Sequence, residues 1–396
     1  MIKINPTYSE DFLSRYVTNV ITERLIPLFN NMILTAPEVD QERILEIFSE
    51  EFIHDLVLCG AEQLDEKIFT IYDHLYVLSE RYCLEYYLKD IDLDPSVVSM
   101  PIRKNVDKDR IRTIHTRVID DLQLLSNERQ SIYLPLIIND MQGTTVASQI
   151  KEQLTLLNSM MSGNHILNDE IKRLYPDWVN DFPNLFNYNA MSQIFGREIT
   201  NSMNLDICPY CNNEDIETIN EEGAETRPDL DHFFPKSKFP FLALTLSNLI
   251  PSGNRCNQKY KKAKSMLGYV HPYIDGIKQN TLFDFNYTFD EGRNIDAIDV
   301  KVINQSSNID RNLDLFRIEA THNKNNVKNW FLKLEERYQL LINCEPDYLN
   351  EILDNDNLVR ARLDVDIQKS PRKEEYQKLK IDALNFLSGR DYNMTD

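Results

Sequence analysis

The chain has 396 residues, 42% of them apolar, 10% aromatic and 27% charged, close to globular averages, which excludes wholesale disorder and implies two or three packed units. Its ten glycines are scattered and form neither GxxxxGK nor GxGxxG, so a phosphate-cradling loop of either kind is not expected. A net charge of −20 argues against a nucleic-acid-binding coat over the whole surface. Residues 225–265 run against that trend: eight Lys/Arg face three acids there, a net +5 that leaves −25 on the rest. With no long apolar run at the N-terminus or elsewhere, a cytoplasmic protein is expected.

In chain order, the first 200 residues read as successive helices. Phe12, Tyr16, Val17, Val20, Ile21 and Leu25 recur at steps of one to four residues that place them on one helical face. The same pattern returns at Ile44, Ile47, Phe48, Phe52 and Leu56, and again at Ile68, Tyr72, Leu75, Leu78, Tyr82 and Tyr86. Residues 111–125 and 148–160 continue it beyond a turn-rich link at Asp94-Pro95-Ser96 and Pro101. The tyrosine stripe is a core or interface face rather than a base-stacking platform, and His54, His74 and His115 are structural by the same argument. Cys59, Cys83 and Cys344 read as small buried hydrophobes.

Between 205 and 254 short β-branched runs and prolines predict hairpins, and residues 255–267 predict a basic helix. Strands are expected within 282–303, and helices again from Val327 to Leu341 and over 373–387. The expected class is α+β in three parts: a helical region over 1–200, a central module over 201–275 and a mixed C-terminal region over 276–396.

The chemistry concentrates in the central module. Cys208-Pro209-Tyr210-Cys211 is followed by Asp231-His232, by Asn248-Leu249 shortly before Pro251, and by Cys256-Asn257 entering the basic segment. An imidazole titrates near neutrality and makes His232 the natural general base; the oxygens of Asp231 and Asn257 suit a hard divalent cation. Adjacent strand residues point to opposite faces, so a bend or the end of the strand must bring His232 and Asp231 together. Asp229 shares the Asp231 face and reads as solvated charge. Lys259, Lys261, Lys262 and Lys264 in the basic segment, with Lys236, Lys238 and Arg255 nearby, can hold a phosphate backbone without reading sequence.

This ordered set resembles the HNH endonucleases, the ββα-metal or His-Me finger family, in its His-Asn-Asn form. The resemblance implies a ββα finger, Mg²⁺ or Mn²⁺ held by Asp231 and Asn257, His232 as the base and Asn248 as the brace of the intervening loop. It implies hydrolysis of phosphodiesters, with double-stranded DNA the expected substrate. Many such fingers are clamped by zinc on two CxxC pairs. Here the second pair reads Gly253-Asn254-Arg255-Cys256, leaving Cys208, Cys211 and Cys256. Three readings stay open: zinc completed by a distant residue, with His271 the nearest downstream histidine, an open three-thiol site, or no zinc. Asp314 to Glu319, the helix from Val327, and Ser370-Pro371 with Leu379 to Asp382 resemble the tails of large bacterial HNH nucleases of Septu-type and retron-linked antiphage systems. That implies a defence effector working with an ATPase partner. The charge segregation suggests that a partner opens access to the nucleic acid. The rival readings are a degenerate finger kept as a nucleic-acid-binding or scaffold subunit, which Gly253 favours, and an RNA nuclease.

Overall fold

A computed structural model describes residues 1–277, 280–288, 294–344 and 346–394, apart from the side chains of 344 and 346. The class is α+β: helices fill the first two hundred residues, and two small antiparallel sheets lie in the C-terminal half. Among the described residues no helix is long and apolar enough to cross a membrane.

The first stripe forms one continuous rod. It starts on Ser9, whose hydroxyl accepts the Phe12 N–H, and runs through Glu10–Tyr16, Val17–Leu25 and Ile26–Thr35. Its middle is a π-helix, in which the Ile26 N–H reaches back five residues to the Ile21 carbonyl; Pro27, next along, has no N–H to give. Phe12, Tyr16, Ile21 and Phe29 are buried along it. Fully burying side chains of this size contributes roughly 1.5–3 kcal/mol each.

The second stripe divides into Glu38–Ile47 and Glu50–Leu58, the latter capped by Ser49. The tyrosine stripe divides into Leu64–His74, Tyr76–Tyr82 and Leu84–Tyr87, because the backbone leaves helical geometry at Leu75 and Cys83. Tyr72, Tyr86 and Tyr87 are buried there, so this stripe is core. Cys59 and Cys83 are buried free thiols, whereas the side chain of Cys344 lies outside the described residues. Asn105–Arg129 and Ala147–Met161 cover the next two predicted helices. A carboxylate holds this part together: Glu80 is buried and accepts the N–H groups of Ile132 and Tyr133 ahead of Leu134–Gln142.

Strand β1 (Asp229–His232) pairs antiparallel with β2 (Leu249–Ser252), with Asp231 opposite Ile250 and His232 opposite Leu249. The loop between them buries Phe233, Phe234, Phe239, Phe241, Leu242, Leu244 and Leu246. Much of that burial is against the helical region. The Tyr16 hydroxyl donates to the Leu244 carbonyl at 2.7 Å, and the Thr245 hydroxyl to the Leu56 carbonyl at 2.9 Å. The Tyr72 hydroxyl donates to Lys238, and the Tyr72 ring packs edge-on against Phe241.

After β2 the chain makes a wide helical stretch, Arg255–Lys261, shorter than the predicted 255–267. It stops because Lys262 turns to a positive φ of 52°. Strands β3 (Phe283–Tyr287) and β4 (Ile298–Val302) form the second sheet, inside the predicted window. Asp382, in the helix Gln377–Ser388, accepts the Leu282 and Phe283 N–H groups at the start of β3. The helix Asn325–Cys344 lays Phe331 on Phe285, with ring centroids 4.5 Å apart.

Candidate functional site

A cleft of about 350 Å³ opens beside β1 and is lined by Asp229, Asp231, His232, Lys236, Asn257, Lys261 and Lys262, with Tyr188 at its wall. The β1–β2 pairing places the two acidic-face residues, and the helical turn after β2 brings Asn257 and Lys261 in from the other side. The strand ends at His232, and its loop then carries the Ala243 carbonyl round to the imidazole, 3.1 Å from Nε2. A carbonyl only accepts, so Nε2 carries the proton and Nδ1 keeps its lone pair. Burial pushes the His232 pKa down to about 3, against the pull of Ala243, and the Lys236 and Lys261 charges push the same way. The ring is therefore neutral, and the Tyr188 ring meets it edge-on at 4.5 Å.

Asn248 is fully buried and its amide is spent on the loop backbone. Oδ1 accepts the Phe234 N–H at 2.7 Å, while Nδ2 donates to the Phe234 and Leu242 carbonyls at 3.0 Å each. The Leu242 carbonyl is one residue before the carbonyl that orients His232, so Asn248 fixes the position of that acceptor.

Asp231 is 4% exposed and both its oxygens are engaged. Oδ2 accepts the Tyr210 hydroxyl at 2.8 Å, and Oδ1 accepts the Lys261 ammonium at 2.9 Å. Burial raises the Asp231 pKa, opposed by Lys261 and Tyr210. Lys261 also donates to the His232 carbonyl at 2.6 Å. Each carboxylate oxygen retains a second lone pair, and the Asn257 amide makes no side-chain hydrogen bond among the described residues, so this donor set fits an oxygen-loving cation. Asp229 is exposed and accepts from Gln258 at 3.1 Å.

The cleft gathers only some of the seven predicted phosphate-binding side chains. Lys236, Lys261 and Lys262 line it. Lys259 is exposed on the helical turn, and Lys264 sits over the Tyr269 ring. Lys238 and Arg255 are not among the cleft's lining residues. Lys238 is bound to Glu85 at 3.2 Å and to the Gly163 carbonyl at 3.0 Å, which makes it a tie to the helical region. Arg255 lies beside Glu214, on the thiol side of the module. Lys261, too, is buried as the partner of Asp231 rather than spread on a surface.

The thiols of Cys208, Cys211 and Cys256 lie within 4.8 Å of one another, all buried. Hydrogen bonds from Cys208 and Cys256 push the Cys211 pKa well below its usual value, while burial pushes Cys208 up. By geometry and donor type the trio fits three of the four ligands of tetrahedral zinc. His271 lies outside this group of ligand atoms; its Nδ1 accepts the Tyr273 N–H and its ring packs on Phe233 at 4.3 Å.

Tyr188, Tyr210 and Glu214 belong to the site and were not singled out by sequence reasoning. Tyr210 sits inside the CxxC and Glu214 three residues after it, which is the only local signal for either. Tyr188 carries none. Comparison with family models, curated proteins and solved structures gave no match for this chain.

Proposed function

We propose that the chain is an HNH-type endonuclease that hydrolyses phosphodiester bonds, with DNA as substrate. The observation that carries this reading is the convergence of Asp231, His232, Asn257 and three lysines on one cleft. The neutral His232 ring, oriented by the Ala243 carbonyl, keeps Nδ1 free to take a proton from water. Asn248 holds the loop that sets this orientation, and Lys236 and Lys262 hold phosphate oxygens. Mg²⁺ or Mn²⁺, held by Asp231 and Asn257, would supply neutralisation of charge on the phosphoryl group. A role as an antiphage effector with an ATPase partner rests on the resemblance of the tail, and the acidic remainder of the chain fits a protein whose access to DNA is opened by that partner.

One observation favours a second reading, a finger that binds nucleic acid without cutting it: the Lys261 ammonium already rests on Asp231. The two separate on a plasmid assay with Mg²⁺ or Mn²⁺, run with the purified chain and with its complex from the native host. EDTA-sensitive nicking or linearisation that disappears in His232→Ala is expected. Cleavage unchanged in that variant removes the proposed base, and no cleavage in either preparation supports the binding reading. Structured RNA offered as competitor separates an RNA nuclease from a DNA nuclease.

A further inference from the structure

The three-thiol cluster lacks the fourth cysteine that a second CxxC would place at position 253, where the chain has glycine. The space that a side chain there would fill is not empty. A Cβ added at Gly253 would overlap the carboxylate of Glu214. Glu214 is tied to the first cysteine of the cluster through its backbone, whose carbonyl accepts the Cys208 N–H at 2.8 Å. Its Oε1 accepts the Arg255 N–H at 3.2 Å, which anchors the carboxylate at the start of the turn that carries Cys256. Its Oε2 is enclosed and has no hydrogen-bond partner. The Arg255 Nε stands 4.0 Å from that oxygen, beyond hydrogen-bond distance. An enclosed carboxylate oxygen without a hydrogen bond loses about 1–3 kcal/mol or more of solvation, so it keeps a lone pair for a second, closer cation.

We infer that Glu214 supplies the fourth ligand of a structural zinc site whose other ligands are Cys208, Cys211 and Cys256. The glycine and the glutamate are then one adaptation: loss of the side chain at 253 makes room for a carboxylate from the opposite edge of the knuckle. The Glu214 carboxylate is not in the group of ligand atoms within 4.8 Å of one another that the three sulfurs form, so it joins them by turning its side chain off the Arg255 N–H, with its backbone held at the Cys208 N–H. Three thiolates and a carboxylate around Zn²⁺ carry a net charge of about −2. Arg255 and Lys324 lie close enough to Cys211 and Glu214 to interact with both, and they offset that charge. This gives Arg255 a task other than holding phosphate, and it stands whether or not the neighbouring cleft cuts nucleic acid.

The test uses the full chain purified without chelator. Metal analysis should give one zinc per chain, and zinc K-edge absorption should show three sulfurs at about 2.3 Å and one oxygen at about 2.0–2.2 Å, without imidazole scattering. In chelator competition, Glu214→Ala should weaken zinc binding at least about tenfold, a loss of 1.4 kcal/mol. The double variant Glu214→Ala with Gly253→Cys should restore the affinity with a four-sulfur shell. It also keeps the proposal testable if Glu214→Ala alone does not fold. Absence of zinc, an imidazole in the shell, unchanged affinity in Glu214→Ala, or a three-sulfur shell in the double variant would each overturn it.

Discussion

Two side chains in the module do work that a reading of types and spacing describes only in part. Asn248 was legible as a brace only through the resemblance to HNH fingers, whose middle Asn holds the intervening loop. Its three hydrogen bonds give that role content. Asn248→Ala leaves one buried N–H and two carbonyls short of partners, so urea unfolding should show a loss of at least about 3 kcal/mol. A loss under about 1 kcal/mol would mean the loop is held elsewhere. Lys261 was legible as a charge and not as a buried partner, since sequence does not say which lysine of a basic run points inward. Removing one member of a buried ion pair destabilises by roughly 3–5 kcal/mol. Lys261→Met should therefore melt lower in EDTA and recover more of its stability with millimolar Mn²⁺ than the natural chain does, because the cation replaces the ammonium on Asp231. Equal recovery in both proteins would contradict that site for the metal.

The elements followed apolar periodicity closely where one face is buried throughout, as in Asn105–Arg129 and Asn325–Cys344. The second and third stripes, each a single run in the sequence, are divided at Phe48, Leu75 and Cys83, because periodicity reports a face and not a change of axis. The basic helix ended early at Lys262, whose left-handed backbone no residue pattern announced. The β1–β2 loop shows what the pattern could not: its apolar side chains are covered by helices two hundred residues away in sequence, through Tyr16, Leu56 and Tyr72. A fragment spanning residues 201–275 should for that reason stay unfolded by itself, with collapsed amide dispersion in a ¹⁵N–¹H spectrum even when zinc is supplied. A well-dispersed spectrum would show that the central module is self-sufficient.

For the whole molecule, the buried histidines connect folding to pH. His271 is wholly buried, and burial pushes its pKa down to about 3, opposed by a hydrogen bond to the Ser247 backbone. The unfolded chain takes up its proton near pH 6.5. Stability from this residue is complete above pH 6.5 and is lost as pH falls from there toward 3, by up to about 1.4 kcal/mol per pH unit. Unfolding free energies measured from pH 7 to 5 should fall less steeply in His271→Gln than in the natural chain, by about 2 kcal/mol over that range. Parallel curves would place the acid sensitivity elsewhere. Charge segregation belongs to this scale as well: the −25 on the remainder surrounds a +5 segment, of which the cleft uses only part.

The central claim, a neutral imidazole beside a cation-holding carboxylate and amide that cleave a phosphodiester, is tested most directly on a substrate small enough to need no partner. The measurement is release of p-nitrophenolate from thymidine 5′-p-nitrophenyl phosphate with Mn²⁺, comparing the natural chain with His232→Ala. The account predicts EDTA-sensitive turnover that falls by about 10²–10⁴-fold in the variant. Equal turnover in the two proteins, or none in the natural chain at any Mn²⁺ concentration, would contradict it.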